Sequence, residues 1–272
     1  MSDRVEEQEL KSLLDALYER FHYDFRQYSQ ASVKRRLGQA MRTLKCATLP
    51  ELQQLVLRDA SVFPKLLQFM TVQVSDFFRD PSYFKLFREN IVPVLRTYPS
   101  VRLWVAGCSH GEEVYSFAIL LREEGLLSRT TIYATDISNE ALRQAEEGIY
   151  PLDRIKSFTV NHQASGAPCS LSEYYTAKYG SAVFDRSLRK HIVFSDHSLA
   201  TDSVFAEVQV VSCRNVMIYF EPSLQHRATT LFADSLCRRG FLGLGAKETL
   251  RFSPLQSRFQ LLTLGEQWYQ AR

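Results

Sequence analysis

A glycine-containing turn directly after a short apolar segment is the first feature of the chain that could bind a ligand. Val101–Ala106 predicts a buried strand, and Gly107 and Gly111 follow it, ahead of a predicted helix that starts at Glu112. Glycine allows a sharp turn and lets a ligand approach the backbone closely. The start of the next helix presents free N–H groups. This turn can therefore hold a carboxylate or a phosphate.

An aspartate follows the next predicted strand. Thr130–Thr135 reads as a strand, and Asp136 comes directly after it, 25 residues beyond Gly111. A carboxylate at such a position can accept both hydrogen bonds of a ribose diol. The turn and the acid together favour a ligand that contains adenosine, although spacing alone leaves the ligand open. The alternative is a structural turn with an aspartate that caps the helix after Ile137.

Two other enzyme classes fit parts of the same turn. Gly107–Gly111 matches the G-x-S-x-G pattern of a hydrolase nucleophile elbow. Against a hydrolase, the chain before Val101 reads as helical, no HGGG-type motif is present, and the last histidine, His226, falls inside a predicted helix. A nicotinamide-binding turn needs G-x-G-x-x-G, and the central glycine is missing here. Both classes are weak alternatives.

The elements that must position these residues change in character along the chain. Residues 6–75 carry apolar positions at helical spacing, whereas strands and helices alternate from Val101 onward. The alternation predicts an α/β fold with a doubly wound, mostly parallel sheet. We expect an all-α domain over 1–80, an α/β domain over 81–272, and a small inserted subdomain at about 157–190. The further predicted elements are helices Glu112–Glu124, Asn139–Glu147 and Pro222–Arg238, strands Ile192–Phe194, Val208–Ser212 and Phe241–Gly245, and a closing hairpin of Phe259–Leu264 with Gln267–Gln270.

Composition excludes several protein classes. The 272 residues are 45% hydrophobic and 23% charged, with a net charge of +3, which is typical of a globular protein. No apolar run approaches the ~20 residues of a membrane span. The acidic start, Met1–Glu7, lacks the apolar region of an export signal, so we expect a cytoplasmic protein. Five scattered cysteines without a CxxC pair predict free thiols and no zinc site.

Four motifs resemble those of one enzyme family, the chemotaxis protein-glutamate O-methyltransferases, or CheR family. In chain order they are Phe77–Pro81 (FFRDP), Leu103–Ser116 (LWVAGCSHGEEVYS), Ala134–Ser138 (ATDIS) and Ser212–Phe220 (SCRNVMIYF). The resemblance covers nearly the whole chain. It implies a Rossmann-like methyltransferase sheet, S-adenosylmethionine as the methyl donor, and a glutamate side chain of a chemoreceptor as the acceptor. The products would be a glutamate methyl ester and S-adenosylhomocysteine.

The resemblance also assigns residues to roles. The turn glycine and the residues that match the family's cofactor contacts are Gln73, Ser75, Arg79, Gly107, Glu113, Asp136, Ser198, Leu199, Arg214 and Asn215. Tyr219 matches the tyrosine near the transferred methyl group, and we expect Arg79 and Tyr219 to orient the acceptor. The ordinary alternatives are an ion pair of Arg79 with Asp76 or Asp80, and a core position at a strand end for Tyr219. The chain departs from the family pattern at His110, Val114, Ser198 and Ala246-Lys247. These departures leave a silent regulator that only binds the cofactor as an alternative.

A basic face on one predicted helix indicates the partner. Lys34, Arg35, Arg42 and Lys45 fall in one sector of a helical projection at ~100° per residue, opposite apolar residues. The resemblance implies that this face contacts the acidic methylation helices of the receptor, although a solvated face is the ordinary explanation. A nucleic-acid methyltransferase is the second candidate because phosphates attract the same face, but the interleaved aromatic residues for base stacking are missing.

The resemblance further implies that the inserted β subdomain binds a receptor C-terminal peptide in some members. We expect no nucleic acid partner, no metal and no membrane insertion.

Overall fold

The chain folds as two compact units. The computed structural model describes residues 2–272, with side chains from Glu6 onward; residue 1, where the predicted all-α domain begins, lies outside the described residues. The helical unit comprises the chain up to Gln73, Ser198–Asp202 and Ile218–Ala228. The sheet unit comprises Val74–His197, Ser203–Met217 and Thr229–Arg272. The domain limits expected at residue 80 and at 157–190 stay predictions.

Apolar residues at helical spacing form the core of the helical unit. Its complete helices are α1 (Ser2–Phe21), α2 (Gln30–Leu44), α3 (Leu49–Arg58) and α4 (Phe63–Met70). Leu13 and Leu17 of α1 are buried, and Phe21 stacks on Phe63 with ring centroids 4.1 Å apart. Thr48 caps α3 by accepting a hydrogen bond from the Glu51 amide. The predicted all-α character of the N-terminal region is confirmed.

The sheet unit contains a large sheet and a small one. The strands are β1 (Val101–Ala106), β2 (Thr130–Asp136), β3 (Ile149–Pro151), β4 (Tyr175–Lys178), β5 (Ser181–Phe184), β6 (Ile192–Asp196), β7 (Val208–Cys213), β8 (Leu236–Leu244), β9 (Phe259–Leu261) and β10 (Trp268–Ala271). The large sheet has the order β6-β2-β1-β7-β8-β10-β9. Strands β6, β2, β1, β7 and β8 are parallel, and β10 is antiparallel to both of its neighbours. The predicted doubly wound sheet with a closing hairpin is confirmed.

Helices connect and cover these strands. They are α5 (Pro81–Leu86), α6 (Val92–Leu95), α7 (Glu112–Glu123), α8 (Asn139–Glu147), α9 (Ile155–Ala164), α10 (Arg186–Arg189) and α11 (Pro222–Ser235), which starts in the helical unit and ends in the sheet unit. A π-helical turn, Phe87–Ile91, joins α5 to α6 ahead of Pro93. Proline lacks the N–H for a regular helical bond, which explains the local irregularity.

The strand order places a ligand crevice at one point of the large sheet. From β1 the chain builds outward through β2 and β6 on one side, and through β7 and β8 on the other. Ligands of open α/β sheets bind at the carboxyl ends of the strands where the order reverses in this way. Gly107 follows β1, Asp136 ends β2 and Arg214 follows β7. The sequence motifs therefore converge on this switch point.

One predicted boundary near the C-terminus is wrong. The helix expected over Pro222–Arg238 ends at Ser235, and Leu236–Arg238 belong to β8, which begins before the predicted Phe241. Leu236 pairs with Val208, and an irregularity in the register follows before Val210 meets Phe241. The helical spacing of apolar residues continues up to Leu236, so the pattern alone did not show where the helix ends. Pairing with β7 decides the strand.

No helix in the described part of the chain is long and apolar enough to cross a membrane.

Phe77 lies at the centre of an aromatic cluster that includes residues of the small sheet. The small sheet has the order β3-β5-β4. Phe77 is fully buried, and its ring lies 4.5 Å from Phe184 of β5 and 4.9 Å from both Tyr150 of β3 and Phe158 of α9. This cluster fixes the first residue of the motif Phe77–Pro81.

We expect Phe77→Ala to lower the free energy of unfolding by about 3–5 kcal/mol, because it empties a fully packed site. Urea denaturation with an unchanged m-value measures the loss. The control is Phe252→Ala, because Phe252 is 86% exposed; we expect a change within about 0.5 kcal/mol. Equal effects of the two substitutions would contradict the packing described for Phe77.

Candidate active site

The turn after β1 has a backbone that requires glycine at both ends. Gly107 has φ +76° and Gly111 has φ +91°. The amides of Gly107 and Cys108 donate to the carbonyl oxygen of Thr135 at 2.8 and 2.9 Å. A Cβ on Gly107 would collide with the side chain of Val216, and a Cβ on Gly111 would lie 2.9 Å from that of Ala145. The turn is therefore closed tightly against β2 and the loop after β7.

Asp136 closes the same turn from the neighbouring strand. Its carboxylate accepts a hydrogen bond from the Ser109 amide at 2.9 Å and one from the Ser138 amide at 3.0 Å. Ser138 in turn caps α8 through a bond from the Ala141 amide at 3.2 Å. The residue is 8% exposed. The acid and the glycine turn thus form one structure, as their positions in the sequence predicted.

Non-glycine residues with left-handed backbones gather at this end of the sheet unit. They are Phe78, Asp80, Ser109 and Asn215, with φ between +49° and +60°. Such conformations cost about 1–3 kcal/mol each and cluster at functional sites, where the surrounding structure enforces them. Motifs predicted to bind the cofactor supply all four.

Arg214 is a buried hub that joins three segments. Its guanidinium pairs with Glu113 at 3.0 Å and with Asp80 at 2.7 Å, and it lies 4.1 Å from the ring centroid of Tyr83. Only 2% of the side chain is exposed. Glu113 also accepts a hydrogen bond from Ser212 at 2.6 Å. Two residues predicted to contact the cofactor, Glu113 and Arg214, therefore hold each other in place.

A second ion pair, between buried Glu112 and partly exposed Arg154, supports the first turn of α7. Glu112 is 1% exposed, and burial raises its pKa to about 6. Arg154 donates to Glu112 at 3.1 Å, to Asp76 at 2.7 Å and to the carbonyl oxygen of Ser75. Arg154 lacked any sequence signal because its three partners are distant along the chain. The contact fixes the backbone of Ser75, a predicted cofactor residue.

Arg79 keeps its guanidinium away from the carboxylates next to it in sequence. Asp76 pairs with Arg154 and Asp80 pairs with Arg214. Among the described side chains, no carboxylate forms an ion pair with Arg79, whose Nη1 donates to the carbonyl oxygen of Val74 at 3.5 Å. The ordinary explanation for this arginine, a local ion pair with its neighbours, therefore does not hold.

Tyr219 belongs to the helical unit, where its ring contacts the guanidinium of Arg36. The Ser29 amide donates to the carbonyl oxygen of Tyr219 at 2.8 Å, and the Arg36 guanidinium lies 4.3 Å from the centre of its ring. Arg36 is 3% exposed and donates to the carbonyl oxygen of Met70. Its Nε and Nη2 have no hydrogen-bond partner within residues 6–272. The helical projection could have indicated this arginine, because it falls on the apolar side with Val33.

The other residues of the helical unit that were predicted to bind the cofactor or the receptor differ in how exposed they are. Leu199 is buried at 7% exposure, and the Ser198 amide donates to Asp202 at 2.9 Å. Gln73 is half-buried, with its side-chain oxygen unpartnered among the residues described. Of the basic residues predicted to face the receptor, Arg35, Arg42 and Lys45 are exposed, and Lys34 is half-buried, 3.8 Å from Glu6.

The residues of the sheet unit fit a polar ligand at the switch point. Within the described residues, Ser109 Oγ and Asn215 Oδ1 are buried polar atoms without a hydrogen-bond partner. Buried polar atoms are normally paired, so such atoms need an explanation. A bound adenosine derivative would supply partners. No cluster of histidine, cysteine and acidic residues in the described part of the chain could hold a metal ion.

Comparison with known proteins relates the chain to methyltransferases of bacterial chemotaxis. The family model "CheR methyltransferase, SAM binding domain" matches residues 73–266, and "CheR methyltransferase, all-alpha domain" matches residues 8–71. The chain is 53% identical over 96% of both chains to Cher3 of Pseudomonas putida, whose name suggests a methyltransferase. It is 29% identical to the chemotaxis protein methyltransferase of Listeria innocua, over 84% of both chains. It is 30% identical to that of Salmonella typhimurium, over 75% of this chain and 69% of the relative.

We expect Gly107→Ala to weaken binding of S-adenosylhomocysteine about tenfold or more. The new methyl group would collide with Val216, and the alanine would have to adopt a left-handed backbone conformation that disfavours side chains. Titration calorimetry measures the affinity, and circular dichroism verifies folding.

The matched control is Gly180→Ala. Gly180 has φ +74° but open space where a Cβ would be, so it bears the backbone strain without the collision. We expect its affinity to stay within about twofold of the unmodified protein, a change of under about 0.5 kcal/mol. If both substitutions weakened binding equally, crowding at Gly107 would not be the cause.

Proposed function

Since this chain belongs to the CheR family of S-adenosylmethionine-dependent methyltransferases, we propose that it methylates glutamate side chains of a methyl-accepting chemoreceptor. The products are glutamate methyl esters and S-adenosylhomocysteine. The observation that carries the proposal is the glycine turn tied to Asp136 at the switch point of the sheet. Chemotaxis methyltransferases among the relatives support the choice of substrate.

The residues of the sheet unit would bind the polar groups of the methyl donor. Asp136 would accept the hydrogen bonds of the ribose, and Ser109 and Asn215 would gain partners for their buried polar atoms. Glu113 supplies negative charge at the start of α7. S-Adenosylmethionine, when bound, supplies a methyl group on a positively charged sulfur. In the helical unit, Gln73, Ser198 and Leu199 stay proposed cofactor contacts.

Methylation of a glutamate requires correct positioning of its carboxylate and does not require a general base. A glutamate carboxylate is ionised at neutral pH and is already a nucleophile. The chain must therefore orient it in line and exclude water. Good orientation of two reactants is equivalent to an effective concentration of about 10⁵–10⁸ M. We assign this orienting role to Arg79 and Tyr219.

Arg36 supports an anionic acceptor. A buried guanidinium with two unpartnered nitrogens is costly unless a negative group compensates it. The cation lies under Tyr219, the residue that matches the family's tyrosine near the methyl group. A carboxylate brought to this part of the helical unit would provide the compensating charge. The negative charge of the carboxylate disappears during methyl transfer, so a strong ion pair with Arg36 would stabilise the reactant more than the transition state. The contact of the guanidinium with the Tyr219 ring would keep that ion pair from becoming too strong.

The proposed partner surfaces are the basic face of α2 and the edge of the small sheet. Exposed Arg35 and Arg42, with Lys34 and Lys45, suit acidic receptor helices. Strand β4 is an edge strand with exposed side chains, which suits addition of an extended receptor C-terminal peptide. The methylated receptor helices are cytoplasmic in this proposal, and so is the reaction.

The test is transfer of labelled methyl groups to a panel of receptor cytoplasmic fragments and receptor-containing membranes. We expect label that base releases as methanol, which identifies a methyl ester. Binding of S-adenosylhomocysteine without any base-labile label would favour the silent regulator instead. Label on RNA or DNA would favour the nucleic-acid methyltransferase.

We expect the double substitution Arg35→Glu/Arg42→Glu to raise KM for the receptor fragment about tenfold or more, because it reverses the charge that attracts acidic helices. The affinity for S-adenosylhomocysteine should stay unchanged. The control, Arg20→Glu/Arg58→Glu, makes the same charge change at exposed positions outside α2. A loss of both affinities would indicate misfolding, and equal KM values for the two variants would remove α2 as the docking face.

We expect Arg79→Ala and Tyr219→Phe each to lower kcat about tenfold to a hundredfold, as a misplaced reactant does. Initial rates at saturating receptor and S-adenosylmethionine measure the effect. Unchanged turnover would exclude the substituted residue from the mechanism.

A further inference from the structure

Glu248 joins the two loops that leave β7 and β8. One carboxylate oxygen, Oε2, accepts hydrogen bonds from the Asn215 amide at 2.9 Å and the Gly245 amide at 2.7 Å. The other, Oε1, accepts one from the Val216 amide at 3.0 Å. The residue is 5% exposed. Bonds from amides to an ionised carboxylate are about twice as strong as neutral ones.

These bonds act on the two residues that follow Arg214, and one of them, Val216, borders the turn after β1. Asn215 has a left-handed backbone with φ +60°, which a non-glycine residue adopts only under constraint. Val216 occupies the space that a Cβ on Gly107 would need. By holding the two amides, Glu248 sets the direction of the Asn215 side chain and the distance of Val216 from the glycine turn.

The rest of the loop cannot perform this task. Ala246 and Lys247, where the chain departs from the family pattern, are exposed, whereas Glu248 is buried. The departures therefore fall on positions that face solvent, and the carboxylate that reaches the loop after β7 is present.

We propose that Glu248 is a positioning residue for cofactor binding, which acts through the backbone of Asn215 and Val216. The inference rests on the proposed use of Asn215 at the cofactor site. A carboxylate is needed because three amide donors converge on it. An amide side chain has one acceptor oxygen, and its NH₂ group would face at least one of the donors.

The main variant is Glu248→Gln, which keeps the shape of the side chain. We expect it to weaken S-adenosylhomocysteine binding and to raise KM for S-adenosylmethionine by about tenfold, while kcat at saturation stays within about threefold. Hydrogen exchange at the amides of Asn215, Val216 and Gly245 should accelerate. Glu248→Ala should weaken binding further.

The matched control is Glu123→Gln, a change at another buried, hydrogen-bonded glutamate of the sheet unit. The Glu123 side chain is 1% exposed, pairs with Arg88 at 2.6 Å and forms a hydrogen bond with His162 at 2.8 Å, at the opposite end of α7 from Glu113. We expect it to lower the melting temperature while the S-adenosylhomocysteine affinity stays within about twofold. This separates positioning from general destabilisation.

Two results would overturn the inference. One is unchanged cofactor affinity in Glu248→Gln, whether or not exchange at the three amides accelerates. The other is an affinity loss that Glu123→Gln reproduces at the same melting temperature. If the unmodified protein bound no S-adenosylhomocysteine, the proposed function would fail first. If it bound and Glu248→Gln bound equally well, only the role of Glu248 would fail.

Discussion

The buried guanidinium of Arg214 is the interaction on which the geometry of the sheet unit depends. It ties the loop after β7 to the first turn of α7 through Glu113 and to the start of α5 through Asp80. Removing one partner of a buried ion pair costs about 3–5 kcal/mol, because the other charge stays buried. Three segments that are distant in sequence therefore share one electrostatic contact, and each brings a family motif to the same end of the sheet.

Around this contact, strained backbones are enforced by buried carboxylates. Asp136 holds the turn after β1 and Glu248 holds the turn after β7, each by accepting bonds from backbone amides. These hydrogen bonds hold both turns in place without a ligand. Binding therefore does not have to order the turns, and less free energy is lost on association. The helical unit carries a different kind of group, a buried cation under Tyr219 and an exposed basic face. In our proposal the sheet unit holds the ribose of the methyl donor, and the cation and the basic face of the helical unit attract the acidic acceptor.

Patterns that are local in sequence predicted much of this. The glycine turn, Asp136 and the doubly wound, mostly parallel sheet follow from periodicity and from the positions of residues at strand ends, and the motifs indicated the family. Contacts between distant segments were not predictable in this way. Arg154 has no periodic or motif signal of its own, and the loop that carries Glu248 does not show by itself that the carboxylate reaches Asn215 and Val216, more than 30 residues away. The end of α11 was misjudged because pairing with β7, and not local apolar spacing, decides where β8 begins.

The most direct test of the central claim is a crystal structure of the protein with S-adenosylhomocysteine. We expect both ribose hydroxyls within about 3.2 Å of the Asp136 carboxylate, with the ligand against the Gly107–Gly111 turn and the Arg214–Glu113 pair intact. A ligand bound elsewhere, or a turn that has to open to admit it, would contradict the account.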